Sequence, residues 1–357
     1  MRGKSRRKAR TNRASRTPSE TSSRGLSAHP NSDEETGQIA LLARRDALVD
    51  AVAGNIEYRL DGTATSPNIN WAYRFDAAVQ SPSGHYVVIY EKLGTKGLLV
   101  LDGKLLRELN RSFYQAHAYE FPVAFCALSN GQELLIHCPE AYNQIDIEDA
   151  ETGARLTGAG RRKSADFFHS RFAVSKDGRW LLSAGWVWHP VDSVCFFDIG
   201  AAIEDPTVLD DPTFPNLEAC CEMNSAAFLG NDRLLLASAP ESEDFREEDH
   251  ADFTPGHLGV FRLNDNRFER VIKMDDVVGT MMPVGADHVV AFYQHPRLIN
   301  WHTGEVVASW PDINTGKQNS SILWHHDAPP PVMALDPVRS RFAVAEKDQI
   351  TVIELRS

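Results

Sequence analysis

The run His325-His326-Asp327 places two imidazoles beside a carboxylate, and His189, His250 or His257 would extend the set. Such nitrogen and oxygen donors suit zinc and similar ions. The spacing follows no local ligand pattern, however, and adjacent histidines on a strand diverge. No metal and no cofactor is assigned. Cys126, Cys138, Cys195, Cys220 and Cys221 are odd in number and contain no C-x-x-C pair. They read as reduced thiols of a cytoplasmic protein, mostly small core residues rather than a redox or zinc centre. Neither a Gly-x-Ser-x-Gly elbow nor a phosphate-cradling glycine loop is present. The expectation is a non-enzymatic protein.

Aromatic residues in connecting segments carry the stronger signal. One segment holds Tyr114, His117 and Tyr119, a second holds Phe168 and His169, and a third holds Trp186, Trp188 and His189. A fourth holds Trp324, His325, His326 and Asp327. Long loops rich in Trp, Tyr and His are typical of binding surfaces. These twelve residues are the candidate site for a protein or peptide partner. The plainer alternative is that the rings plug a central opening and pack in cis.

A repeat positions these loops. Ser81-Pro82-Ser83-Gly84, Ser129-Asn130-Gly131, Lys176-Asp177-Gly178, Gly230-Asn231-Asp232, Gly285-Ala286-Asp287 and Asp336-Pro337-Val338-Arg339 each lie between two short apolar runs. With markers at Ser83, Gly131, Asp177, Asn231, Ala286 and Val338, the steps are 48, 46, 54, 55 and 52 residues. A period of about 40–55 residues built from short strands marks a β-propeller. Third strands are predicted at Gly97–Leu101, Asn143–Ile147, Ser193–Ile199, Leu258–Leu263, Arg297–Trp301 and Ile350–Leu355. The reading is an all-β chain with one propeller over 55–357 of six four-stranded blades, with seven as the alternative. Ile56–Leu60 would supply the missing fourth strand of the last blade and close the ring.

The net charge of −12 is unevenly spread. Residues 1–24 carry nine Arg or Lys and one acid, Glu20, a net of +8 that leaves −20 for the remainder. The body therefore repels nucleic acid and anionic membranes on average. Only the tail, through residues 2–16, offers a nucleic-acid contact. Residues 1–35 are poor in large apolar side chains and are expected to be disordered. Ser32-Asp33-Glu34-Glu35 resembles a capping box, and Ile39, Leu42, Val49 and Val52 repeat at spacings of 3 and 7, so a helix is predicted over 36–54. No apolar run long enough to span a membrane occurs.

The chain resembles the WD40-like or YVTN-type propeller superfamily over residues 55–357. Trp301-His302-Thr303-Gly304-Glu305 is similar to the tryptophan–acid ending of a third strand, with His in place of the acid. Lys176-Asp177-Gly178-Arg179 is similar to the tight turn after a first strand. Regular Gly-His and Trp-Asp pairs are lacking, so the side-chain network of WD40 blades is not expected. The resemblance implies long loops on one face and tight turns on the other. The leading expectation is an interaction scaffold using the long-loop face. Six-bladed propellers that are metal-dependent hydrolases or lactonases supply the alternative, with Asn143, Glu222 and Asn224 as candidates to face the channel.

Overall fold

The marker turns close hairpins, and three of them do so identically. The N–H groups of Gly84, Gly131 and Gly178 each donate to the carbonyl three residues back, at 2.9 Å. All three glycines have positive φ. Gly178 is further constrained, since a Cβ there would lie 2.7 Å from the Ala127 carbonyl oxygen of the preceding blade.

A computed structural model describes residues 21–27, 39–67, 69, 71–158, 160, 162–215, 221–240, 253–323, 330–346 and 349–355. After a first strand, β1 (Thr21–Ser27), the chain builds seven antiparallel sheets in sequence. Blade 1 holds β2 (Leu41–Ala43), β3 (Ala47–Asp50), β4 (Ile56–Arg59) and β5 (Ala64–Thr65). Blade 2 holds β6 (Ala77–Gln80), β7 (Tyr86–Tyr90), β8 (Lys96–Leu101) and β9 (Lys104–Asn110). Blade 3 has β10 (Val123–Ala127), β11 (Glu133–His137) and β12 (Asp146–Asp149). Blade 4 has β13 (Phe172–Val174), β14 (Trp180–Val187) and β15 (Val191–Asp198). Blade 5 runs from β16 (Met223–Phe228) through β17 (Arg233–Ser238) and β18 (His257–Arg262) to β19 (Arg267–Lys273). Blade 6 runs from β20 (Met281–Val284) through β21 (His288–Ala291) and β22 (Arg297–Asn300) to β23 (Val306–Ser309). Blade 7 holds β24 (Val332–Asp336), β25 (Arg341–Glu346) and β26 (Gln349–Leu355), with β1 as its outer strand.

The first strands are innermost and meet from β2 and β6 round to β16 and β20, with β24 meeting β2 to complete the circle. Blades 6 and 7 share one apolar cluster that includes Met282, Phe292, Phe342 and Val344. Apolar clusters between neighbouring blades hold the ring, so both faces of most blades are buried.

Three sequence expectations need correction. The ring has seven blades, not six, because residues 41–65 form a blade of their own. The predicted 36–54 helix is absent over the described residues 39–54. Leu41 and Leu42 pair with Asp50 and Val49 across a hairpin, and consecutive burial arises because Leu48 faces blade 7 while Val49 faces blade 2. A strand buried on both faces loses its alternation, and the remaining apolar spacing imitates a helix. Ile56–Leu60 does not close the ring either, since β4 pairs with β3 and β5. Closure falls to β1, which pairs with β26 from Thr21↔Leu355 to Ser27↔Gln349. That strand lies within the stretch expected to be disordered. Leu26 is its single buried residue, so the backbone ladder holds it rather than apolar content. The rest of the tail, 1–20 and 28–35, lies outside the described residues.

Among the described residues, blades 3 and 4 lack a regular fourth strand. In blade 3 the bridge Glu148↔Arg155 is what remains of it. In blade 4 a short helix, α1 (Ile199–Glu204), capped by Asp198 accepting from Ala201 N–H, leads to a bridge between Thr213 and Phe196.

Candidate interaction surface

Loops between blades, and loops joining second to third strands, open on one face, as the resemblance implies. The loop from β9 to β10 is organised by Arg111, a buried side chain just after β9. Its guanidinium donates to the carbonyls of Gly94 (2.7 Å), Ala116 (2.7 Å) and Tyr119 (3.0 Å). The same group lies over the rings of Tyr119 and Phe121, at 4.7 and 5.1 Å. A cation held by carbonyl oxygens and π faces, with Nη1 left without a hydrogen-bond partner among the described residues, can fix a loop without a carboxylate ion pair. This staple presents Phe113 and Tyr114, which are 84% and 48% exposed.

In the next inter-blade loop, Phe168 pairs with Trp186 through two backbone hydrogen bonds, and their rings stack at 3.7 Å and 8°. Gly185 permits this approach, since a Cβ there would sit 2.0 Å from the Phe168 carbonyl oxygen. Tyr142 stacks on Phe168 at 4.4 Å and donates its hydroxyl to Asp166 at 2.6 Å. Burial and the Asp166 carboxylate both raise the Tyr142 pKa, so the phenol stays protonated. Tyr114 and Trp188 each lie 5.8 Å from Phe168. The result is a stack with a buried base and an exposed rim of Tyr114 and Trp188, with the exposed Phe113 beside Tyr114 in the chain.

Residues 320–323, from the connection between blades 6 and 7, reach across the ring to this stack. Ile322 bridges to Tyr119, and Leu323 N–H donates to the Ala118 carbonyl at 2.7 Å. Ser321 N–H donates to Asp192 Oδ1 at 2.9 Å, and the Ser321 hydroxyl bonds both Asp192 and the Gly185 carbonyl. Blades 3 and 4 are thus strapped to the opposite side of the ring, over the mouth of the channel.

The predicted residues therefore divide. Tyr114, Trp188, His117 and His189 are exposed on the rim or beside it. Tyr119, Phe168 and Trp186 are buried and form its support. His169 is a core residue, with Nδ1 3.1 Å from the Ser183 hydroxyl, and burial pushes its pKa down to about 3. Trp324, His325, His326 and Asp327 lie outside the described residues, as does His250. Phe113, Tyr142 and Arg111 were not among the predicted site. A polar cue for Arg111, an arginine directly before an aromatic loop, is present in the sequence but not distinctive.

Two of the three channel candidates are already engaged, and the third, Asn224, is buried. Asn143 donates to the Ser164 and Ala165 carbonyls, and Glu222 accepts from Asp192 N–H, its pKa raised by burial. Among the described residues no three His, Cys, Asp or Glu side chains converge to hold a metal ion. His257 has Nδ1 2.9 Å from the Pro255 carbonyl oxygen, a structural hydrogen bond. Cys126, Cys138 and Cys195 are buried free thiols. No helix among the described residues is long and apolar enough to cross a membrane. In comparisons with known proteins, no family model matches the chain and no curated protein matches it.

Proposed function

We propose that this propeller is a non-enzymatic interaction scaffold of WD40-like type that binds a protein or peptide on its long-loop face. Phe113, Tyr114 and Trp188 are the proposed anchors. The observation that carries this reading is the exposed rim on a buried stack of rings. A pre-ordered aromatic surface loses little entropy on binding, and such residues dominate interface energetics. The strap over the channel mouth, and the internal bonds of Asn143 and Glu222, favour a surface-binding scaffold over a hydrolase working within the channel. Free thiols fit a cytoplasmic location.

The test is affinity capture with the intact chain and two variants. Phe113→Ala/Trp188→Ala is expected to lose the partner while melting like the parent. Val338→Ser, on the tight-turn face, is expected to retain it. Equal recovery by all three would overturn the assignment.

A further inference from the structure

Blades 1 and 2 meet at their inner edges but diverge outward, leaving a cleft of about 790 Å³. Its lining runs from Asn55 and Trp71, in long-loop-face connections, to Arg44, Arg45 and Arg339 in turns of the opposite face. The cleft therefore spans the height of the blade. A strand as long as β7, five residues, covers roughly 17 Å at 3.3–3.4 Å per residue. Its accessible apolar lining is Pro67, Ile69 and Trp71 on one side and Val87 on the other, above the buried Val49, Ile89 and Val100. Few compact ligands would use so long a groove, whereas an extended peptide would lie along it.

One end is marked by charge. Arg44 and Arg45 are exposed, and among the described residues neither has a carboxylate within ion-pair reach. Their turn is fixed from below, since buried Arg341 donates to the carbonyls of both and pairs with Asp336 at 2.9 Å. Two cations on a clamped turn form a pre-organised anchor for carboxylates. The acids of the cleft are committed elsewhere, Glu57 to Arg59 at 3.4 Å and Asp102 to His85 at 2.7 Å. The net negative charge of the body opposes an anionic ligand at long range. Screening within about 8 Å at physiological salt leaves the nearby arginine pair dominant.

We propose that the groove between blades 1 and 2 is a second binding site, for an extended peptide whose apolar side chains lie along Ile69, Trp71 and Val87 and whose acidic end meets Arg44 and Arg45. This site is separate from the aromatic rim, so either assignment can fail without the other.

Fluorescence anisotropy tests it with labelled Leu-Thr-Leu-Thr-Leu-Asp-Asp and the intact protein. Binding is expected, with at least a tenfold loss in Arg44→Glu/Arg45→Glu. These substitutions keep the backbone carbonyls that Arg341 holds, and unchanged circular dichroism and melting would confirm the fold. A peptide ending in Lys-Lys, or one with Ser replacing every Leu, is expected to bind at least tenfold more weakly. Trp188→Ala should leave the affinity unchanged. Absence of binding to 1 mM on the order of the weakest specific contacts, or equal affinity for the charge-reversed variant, would overturn the proposal. Equal affinity would place the peptide elsewhere, the basic tail included. Binding of decanoate without the peptide would also overturn it.

Discussion

Ser321 and Asp192 meet across the ring. The backbone N–H and hydroxyl of Ser321 both donate to Oδ1 of Asp192, although one residue enters from the connection after blade 6 and the other from blade 4. Both side chains are buried. Removing the carboxylate leaves the buried Ser321 N–H without its acceptor and the hydroxyl with the Gly185 carbonyl alone. Asp192→Ala is therefore expected to cost about 2–3 kcal/mol, measured by urea unfolding. Hydrogen exchange should rise at residues 118–119 and 321–323 in the same variant. Unchanged exchange there would mean that the strap is held by other contacts.

Ring closure by β1 separates two truncations. Removing residues 1–20 leaves the whole β1–β26 ladder, and the melting temperature is expected to match that of the full chain. Removing residues 1–27 bares the β26 edge and uncovers the apolar surface against which Leu26 packs. Lower melting and self-association on size exclusion are expected, since an unpaired edge invites pairing between chains. Leu26→Ala should cost about 2 kcal/mol. Identical melting of both truncations would contradict closure by β1.

Legibility in the sequence followed local chemistry. The turns at Gly84, Gly131 and Gly178 were readable because positive φ restricts the residue type. Third strands such as Ile350–Leu355 were readable because continuous apolar runs lie between turns. Blade 1 was hidden by the double-sided burial of Leu48 and Val49. The ladder of β1 was hidden because it is made by backbone groups, which Thr21–Ser27 reveal in no side-chain pattern. At the candidate site, aromatic type was readable but depth was not. Trp186 and Trp188 are two residues apart, yet one is buried and the other 51% exposed.

Arg111 acts on the rim without forming it. Arg111→Met keeps some of the stem but removes the donors to Gly94, Ala116 and Tyr119. Loss of a buried charged staple is expected to cost roughly 2–4 kcal/mol. Exchange protection should fall over 112–120, and partner capture should fall with it. A variant with unchanged protection in this loop would show that Phe113 and Tyr114 are positioned independently of Arg111.

His169 gives the fold a defined acid sensitivity. Burial is the main cause of its depressed pKa, a backbone hydrogen bond at Asn143 opposes it, and the Arg162 charge adds to it. The folded state thus holds the neutral ring while the unfolded chain gains a proton near pH 6.5. This contribution to stability is complete above about pH 6.5 and declines as pH falls towards the folded value of about 3. Between pH 7 and 5 the loss is about 2 kcal/mol. Urea midpoints for the parent and His169→Gln should converge on acidification. Parallel pH profiles would assign the acid sensitivity to other groups.

The interaction surface is tested most directly by placing a photo-crosslinking side chain at Trp188, and separately at Val338, which is 76% exposed on the opposite face. A discrete crosslinked partner is expected from position 188, competed away by unlabelled protein and lost on Phe113→Ala. Position 338 is expected to give none. The same product from both positions, or from 338 alone, would contradict binding through the aromatic rim.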